Sequence, residues 1–304
     1  MTDKQRIKNL NVPDEIVDCV LDTDAYNEVD DQYAISYLLK SSDRVNVKAI
    51  YAAPFSNPKS DYDAGKGMEL SYKEIKTLLS LVKRIVPLYY GSSSFLSHEK
   101  SPVISDAARD LSVRAMSYTK GKPLYVVAIG AITNVASAIL LNPEIADRMV
   151  VVWLGGHARH FGDTKEFNMF QDIASARVVM GSGVPFVQLP CMGVVSEFRL
   201  SEAEIDKWIL NKTPLSTYLG EYTKKEANSY AKGKPWTRII WDVCAVAWLF
   251  NKNDRFMRSR IEKIQLPDYN GFYEEKKLSY SMRYVYSINR DELMYDLISK
   301  ITEE

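Results

Sequence analysis

Polar and apolar positions change period repeatedly along this chain, and each change marks an element. Ile16 to Leu21 is a short run rich in β-branched residues, long enough for a buried strand and too short for an independent helix. Ala34, Ile35, Leu38 and Leu39 then recur at helical spacing, and Val45 to Tyr51 alternates as a strand. Helical segments around Gly67–Val82 and Ala107–Tyr118 flank a strand-like Val86–Gly91. Leu124–Gly130 and Met149–Gly156 are nearly continuous apolar runs, as central parallel strands covered on both faces require. Ala174–Met180 reads as a helix stopped by Gly181 and Gly183, and Val184–Leu189 as a strand. The pattern is that of an α/β protein.

The C-terminal third is mainly helical in pattern. Ser201 to about Lys232 is periodic, with Ser201 and Glu204 matching a capping box and Tyr218, Tyr222 and Tyr230 on its later part. Leu278–Ile288 is β-like, and a last helix starts near Asp291. No repeat, low-complexity segment or Pro/Gly linker divides the chain, so residues 1–304 are expected to form one domain.

The candidate chemistry begins where the first strand ends, at Asp22-Thr23-Asp24-Ala25-Tyr26-Asn27-Glu28-Val29-Asp30-Asp31. Ligands of open α/β sheets bind beyond the carboxyl ends of strands, where these acids lie. Asp30 as a helix cap and Asp31 as a complement to the helix dipole would explain two of them. Gathering Asp22, Asp24, Glu28, Asp30 and Asp31 at one turn costs repulsion that a cation or hydrogen-bond donors must offset. Oxygen-only ligands suit a hard divalent ion. Asp242, alone in the apolar run Ile239–Phe250, is a buried carboxylate that also needs a partner.

Other strand ends carry weaker signals. Asn57 follows the second strand, and Gly130-Ala131-Ile132-Thr133-Asn134 follows the fourth, where Gly130 could only permit a tight turn and Thr133 or Asn134 could only cap a helix. His157 and His160 sit in a polar loop after Leu154, but H-x-x-H without a flanking acid is a poor transition-metal signature. No G-x-S-x-G elbow supplies a serine nucleophile.

Charge removes some partners. Lys plus Arg and Asp plus Glu both number 39, which gives no bulk attraction to nucleic acid or an anionic membrane. The opening Met1–Arg6 lacks a signal-peptide core, and Val243–Phe250 is too short to span a bilayer, so a cytoplasmic protein is expected. Cys19, Cys191 and Cys244 are odd in number and far apart, as reduced buried thiols would be. A homo-oligomer stays open, because exposed aromatics would suggest a dimer.

With Asp22, Asp24, Asp30, Asp31, Asn57, Gly130–Ala136, Glu166-Phe167-Asn168 and Asp242 in this order, nearly the whole chain resembles the nucleoside hydrolases of the inosine–uridine-preferring family. The resemblance implies an open, mostly parallel, Rossmann-like sheet flanked by helices, with helical C-terminal additions. It implies one calcium ion held by Asp24, Asp31, Asp242 and the backbone carbonyl of Ile129. Asp30, Asn57 and Asn168 would surround a ribose, with Glu166 at its 5′ side and Asp22 orienting the turn from behind. A ribonucleoside would then be cleaved to base and ribose through an oxocarbenium-like state, with Asp24 accepting the proton of the attacking water.

The chain departs from that family's pattern at two places. The family spacing is D-x-D-x-x-x-D-D with a glycine in the turn, whereas here the turn is two residues longer and lacks glycine, pushing Tyr26, Asn27 or Glu28 toward the site. Trp241 stands where the best-known members have a histidine, and His160 where an asparagine is expected. Indole cannot act as a general acid near neutral pH, so Trp241 either contacts a base or packs in the core beside Trp248. A non-catalytic nucleoside- or sugar-binding protein that keeps the metal, a hydrolase of a related riboside, and a metal-free structural acidic cluster are the competing readings.

Overall fold

In the computed structural model, which describes residues 1–303, an eight-stranded sheet takes its strands from Val17 through to Ile288. In chain order the elements are α1 (Asp3–Asn9), β1 (Val17–Thr23), α2 (Asp30–Lys40), β2 (Val45–Ala52), α3 (Ala64–Val82), β3 (Leu88–Tyr89), α4 (Asp106–Arg114), β4 (Leu124–Ala128), α5 (Thr133–Leu141), β5 (Met149–Leu154), α6 (Phe167–Gln171), α7 (Ile173–Gly181) and β6 (Phe186–Leu189). There follow β7 (Arg199–Ser201), α8 (Glu202–Glu204), α9 (Pro214–Ala231), β8 (Thr237–Ile239), α10 (Val243–Trp248), β9 (Met257–Pro267), β10 (Tyr273–Ile288) and α11 (Arg290–Thr302).

The sheet order is β3-β2-β1-β4-β5-β6-β10-β9, and every neighbouring pair is parallel except β10 with β9. This confirms the open, mostly parallel sheet flanked by helices. Central strands β4 and β5 are buried along their whole length, which is why their sequences are apolar without alternation. Two apolar clusters lie on the two faces: Leu21, Tyr33, Val127 and Trp248 belong to one, Val20, Val126, Trp153 and Met180 to the other. Strand order reverses between β1 and β4, so their carboxyl ends open the crevice in which such sheets place ligands.

One expectation for the C-terminal part needs correction. The periodic stretch from Ser201 is not one helix: the capping box of Ser201 and Glu204 forms, but the chain passes through a π-helical turn at Ile205–Ile209 and a left-handed Asn211 before α9 starts at Pro214. The β-like stretch expected at Leu278–Ile288 is the later part of β10. β9 and β10 form a long antiparallel hairpin that extends the sheet, with β9 at the edge. An edge strand pairs on one side only, and the charged sequence of β9 suits that place.

Candidate active site

β1 ends in Asp22, Thr23 and Asp24, and the turn after it delivers Asp30 and Asp31 at the start of α2. That helix is buried from Asp30 to Leu39, so its first-turn acids enter the protein rather than solvent. Asp30 does not cap it: the cap position is Val29, without a side-chain bond. Asp242 arrives from the far side, immediately before α10. One oxygen from each of Asp30, Asp31 and Asp242 lies within 4.8 Å of the others, and all three residues are buried.

Among the described residues no basic side chain pairs with these carboxylates, and the charge of Arg238 reaches Asp30 without a hydrogen bond. Both carboxylate oxygens of Asp24 and Oδ1 of Asp30 are enclosed without a hydrogen-bond partner among the described residues. Thr23 Oγ1 donates to Asp31 at 2.5 Å, which covers one oxygen of that residue. Burial, reinforced by the charges of Asp31 and Asp30, holds the Asp24 carboxyl well above the carboxylate range. Burial and the neighbouring charges of Asp30, Asp31 and Asp24 do the same to Asp242. Burial lifts Asp31 to about 7 against the pull of the Thr23 hydroxyl, and burial with the charge of Glu28 holds Asp30 well above the carboxylate range. Orphaned oxygens on mutually repelling carboxylates fit a divalent cation, which supplies the missing positive charge and bonds to oxygen. These residues could therefore hold a metal ion.

Asp22 lies behind the turn. Asn134 Nδ2 donates to its Oδ1 at 2.7 Å, while the Asn134 amide oxygen accepts from the Ser92 backbone at 2.7 Å and its hydroxyl at 2.9 Å. Asn134 thus fixes Asp22 and does not cap α5, whose cap position is Ile132. Burial raises Asp22 to about 7 against that hydrogen bond. Gly130 is not needed for a left-handed turn either. A Cβ there would lie 2.8 Å from Asp24 Oδ1 and 3.0 Å from its Cγ, so the residue is glycine because the Asp24 carboxylate occupies the space.

The cleft at the strand ends, about 220 Å³, is lined by Asp24, Asp30, Asp31, Asp242, Ile129, Glu166, Asn168 and Trp241, all expected from the sequence. Asn168 Nδ2 donates to the carbonyls of Ile129 (3.2 Å) and Leu154 (3.0 Å), tying the ends of β4 and β5 together. Glu166 caps α6: its oxygens accept from the backbone N–H groups of Gly156, Asn168 and Met169 at 2.8–3.0 Å. Burial raises its carboxyl against those three donors.

Two expected residues lie elsewhere. Asn57 is outside the cleft lining: its side chain caps the turn at Pro58–Ser60, and its Nδ2 donates to Asn27 Oδ1 at 2.7 Å. It reaches the site only through Asn27, which does line the cleft. His160 is exposed, packed on Phe161 and against Gly193, while His157 of the same loop lines the cleft. The longer turn brings Asn27 and Glu28 into the lining, but not Tyr26. Leu154, Lys165, Phe167, Cys191 and Met192 complete the lining and were not singled out as site residues from the sequence; Cys191 and Met192 follow the end of β6, so strand-end placement was the available signal.

The profile of a family described as inosine-uridine preferring nucleoside hydrolase matches residues 19–285. The chain belongs to that family. Within it, the chain is 31% identical over 159 residues to a non-specific ribonucleoside hydrolase, RihC, of Salmonella paratyphi A, a match covering 51% of this chain and 50% of that one. The match to the curated relatives thus spans about half their length. A purine-preferring ribonucleoside hydrolase from Gardnerella vaginalis has the same fold, with a TM-score of 0.74 at 19% identity over 94% of this chain and 98% of that one. An inosine-uridine preferring nucleoside hydrolase from Bacillus anthracis aligns with a TM-score of 0.69 at 16% identity, covering 94% of this chain and 99% of that one. The match to the family profile takes in every lining residue of the acidic cleft, from Asp24 to Asp242.

Proposed function

We propose that the chain is a calcium-dependent hydrolase that cleaves the N-ribosidic bond of a ribonucleoside to free base and ribose. The observation that carries this reading is the set of buried, unpartnered carboxylate oxygens on Asp24 and Asp30 beside Asp31 and Asp242, in a cleft a small molecule can enter. Asp24, Asp31 and Asp242 would hold the ion with the carbonyl of Ile129, whose second lone pair is free of Asn168. Calcium takes many oxygen ligands in flexible geometry, and when bound it would lower the pKa of a coordinated water and bind sugar hydroxyls.

The protein's own groups supply the rest. Asp24, with both oxygens free of protein donors, takes the proton of the attacking water. Asp30 Oδ1 accepts a ribose hydroxyl, and the Asn168 amide oxygen, which no described protein group bonds, accepts another. Glu166, committed to three backbone donors, holds the loop that closes the 5′ side and keeps a further lone pair for a hydroxyl there. The ring of carboxylates below the sugar stabilises the positive charge that develops as the bond to the base breaks.

Buried, unpaired Cys19, Cys191 and Cys244 support a reducing, cytoplasmic setting. The test is a panel of purine and pyrimidine ribonucleosides assayed for reducing sugar with and without calcium. Release of ribose that chelator abolishes and calcium restores is expected; tight nucleoside binding without turnover would replace this reading by that of a binding protein.

A further inference from the structure

The family position before the late aspartate is Trp241, whose indole cannot pass a proton to a departing base at neutral pH. Of the chain's three histidines, one lines the acidic cleft: His157, on the loop after β5, with Trp241 and Met192 also in the lining. Its backbone is held on both sides, the N–H donating to Thr164 Oγ1 at 3.1 Å and the carbonyl accepting from the Tyr273 hydroxyl at 3.1 Å. Gly156 before it sits at a φ of +76° with its N–H on the Glu166 carboxylate at 2.9 Å. A Cβ at Gly156 would strike the Tyr273 hydroxyl at 2.4 Å, so this left-handed turn is open to glycine alone and sets where His157 enters the cleft. The ring, by contrast, is uncommitted. Nδ1 is enclosed without a hydrogen-bond partner, no described group bonds Nε2, and the Phe161 ring of the same loop lies 5.8 Å away between ring centres. The main chain is fixed and the ring nitrogens are free of protein groups, which leaves the imidazole available to a bound molecule.

We propose that His157 is the catalytic residue that protonates the leaving base in this chain, in place of a histidine at position 241. The proposal rests on the hydrolase reading above. In the step, the bond between C1′ and the base nitrogen breaks with its electron pair passing to the base, and the His157 imidazolium gives its proton to a base nitrogen. The oxygen of water bonds to C1′ while its proton passes to Asp24, and the imidazole regains a proton from solvent. Lys165 and Glu166 follow His157 on the same loop and share the cleft lining with Asp24, Glu28, Asp30, Asp31 and Asp242, and the charge of His157 acts on Glu166.

The experiment compares inosine and uridine with 4-nitrophenyl riboside, whose leaving group needs no proton, in the unaltered protein, in His157→Gln and in His157→Phe. Both variants should lose about 100-fold or more in kcat/KM on the nucleosides, the usual size of a general-acid contribution. Both should stay within a factor of about three on the nitrophenyl riboside, which also shows that they fold. Equal losses on all three substrates, or no loss on the nucleosides, would overturn the assignment of His157 and leave the hydrolase reading standing. If the unaltered protein with calcium cleaves none of the three, the hydrolase reading fails and His157 as its acid fails with it.

Discussion

Arg238 Nη2 donates to the Glu28 carboxylate at 2.6 Å, joining the strand that leads into Trp241 and Asp242 to the turn that carries the acids. Glu28 lies in that turn, and its charge helps raise the carboxyls of Asp30, Asp31, Asp24 and Asp242. Arg238 counters it, and its charge lowers Asp30. The turn therefore carries a negative charge into the cleft lining, and a cation from β8 tethers it.

Glu28→Gln keeps an acceptor for Arg238 and removes that charge. The metal-free protein is expected to become slightly more stable at neutral pH, because repulsion among the buried acids falls. Calcium should bind about fivefold more weakly, the effect of ~1 kcal/mol of attraction through partly solvated space. Calorimetric titration with calcium and a melting curve in chelator measure the two; a tighter site in the variant would contradict the electrostatic account.

The metal ligands and the base are separable by the same pair of measurements. Asp242→Asn should raise the melting temperature in chelator, since one of the repelling buried carboxylates is gone, and should remove most of the rise that calcium gives. For the unaltered protein that rise corresponds to about 2.7 kcal/mol at calcium one hundred times its Kd. Asp24→Asn should keep part of the calcium-induced rise, because an amide oxygen still coordinates, while kcat falls by about 10³ for want of a proton acceptor. Equal losses of calcium binding and turnover in Asp24→Asn would argue against Asp24 as the base.

Acid stability should depend on a residue far from the cleft. Asp296 of α11 accepts from Arg44 at 2.6 and 3.1 Å and from the Tyr37 hydroxyl at 2.5 Å, tying the last helix to α2 and the turn beyond it. Burial pushes its carboxyl up, but the Arg44 hydrogen bonds, the Tyr37 hydroxyl and the charges of Arg44 and Arg255 outweigh burial and hold it below the usual range. A carboxyl lowered by folding contributes stability above its unfolded pKa of about 4 and loses it as pH falls through the folded value. Asp296→Asn should cost about 1–3 kcal/mol at pH 7 and flatten this part of the acid limb. Denaturant melts at neutral pH and at pH 3 give both numbers, and an equal deficit at the two would contradict the linkage.

The sequence showed the acids but not the geometry that sorts them. Asp22, Asp24, Asp30 and Asp31 were legible because a β-branched run stops and a helical period starts around them, and Asp242 because it interrupts an apolar run. Asn57 and His160 sit at strand ends by the same reasoning, yet one is spent as a cap and the other faces solvent. Nothing local distinguishes His157 from His160. The left-handed Gly156 and the hydroxyls of Thr164 and Tyr273 decide it, and Tyr273 is more than a hundred residues away. β9 was illegible for a related reason: Met257, Ile264 and Pro267 are buried without a two-residue alternation to announce a strand, and pairing with β10 defines it.

Trp241 divides two roles that the sequence left open, and the structure separates it from Trp248. Trp248 is fully buried, its ring 6.4 Å from that of Tyr125, whereas Trp241 is half-buried, packs on the core with part of its surface and lines the cleft beside Asp242. An indole in that place would offer a flat face and one N–H to a bound base, and would discriminate among bases without protonating any of them. Trp241→Ala should therefore change the ratio of purine to pyrimidine kcat/KM by about tenfold, the discrimination a few apolar contacts supply, with a modest fall in melting temperature. Trp241→His adds a titratable group at the leaving-group side and should recover nucleoside turnover in the His157→Gln background, since either imidazole would then face the base. Base ratios that stay unchanged in Trp241→Ala while the melting temperature collapses would assign Trp241 to packing alone.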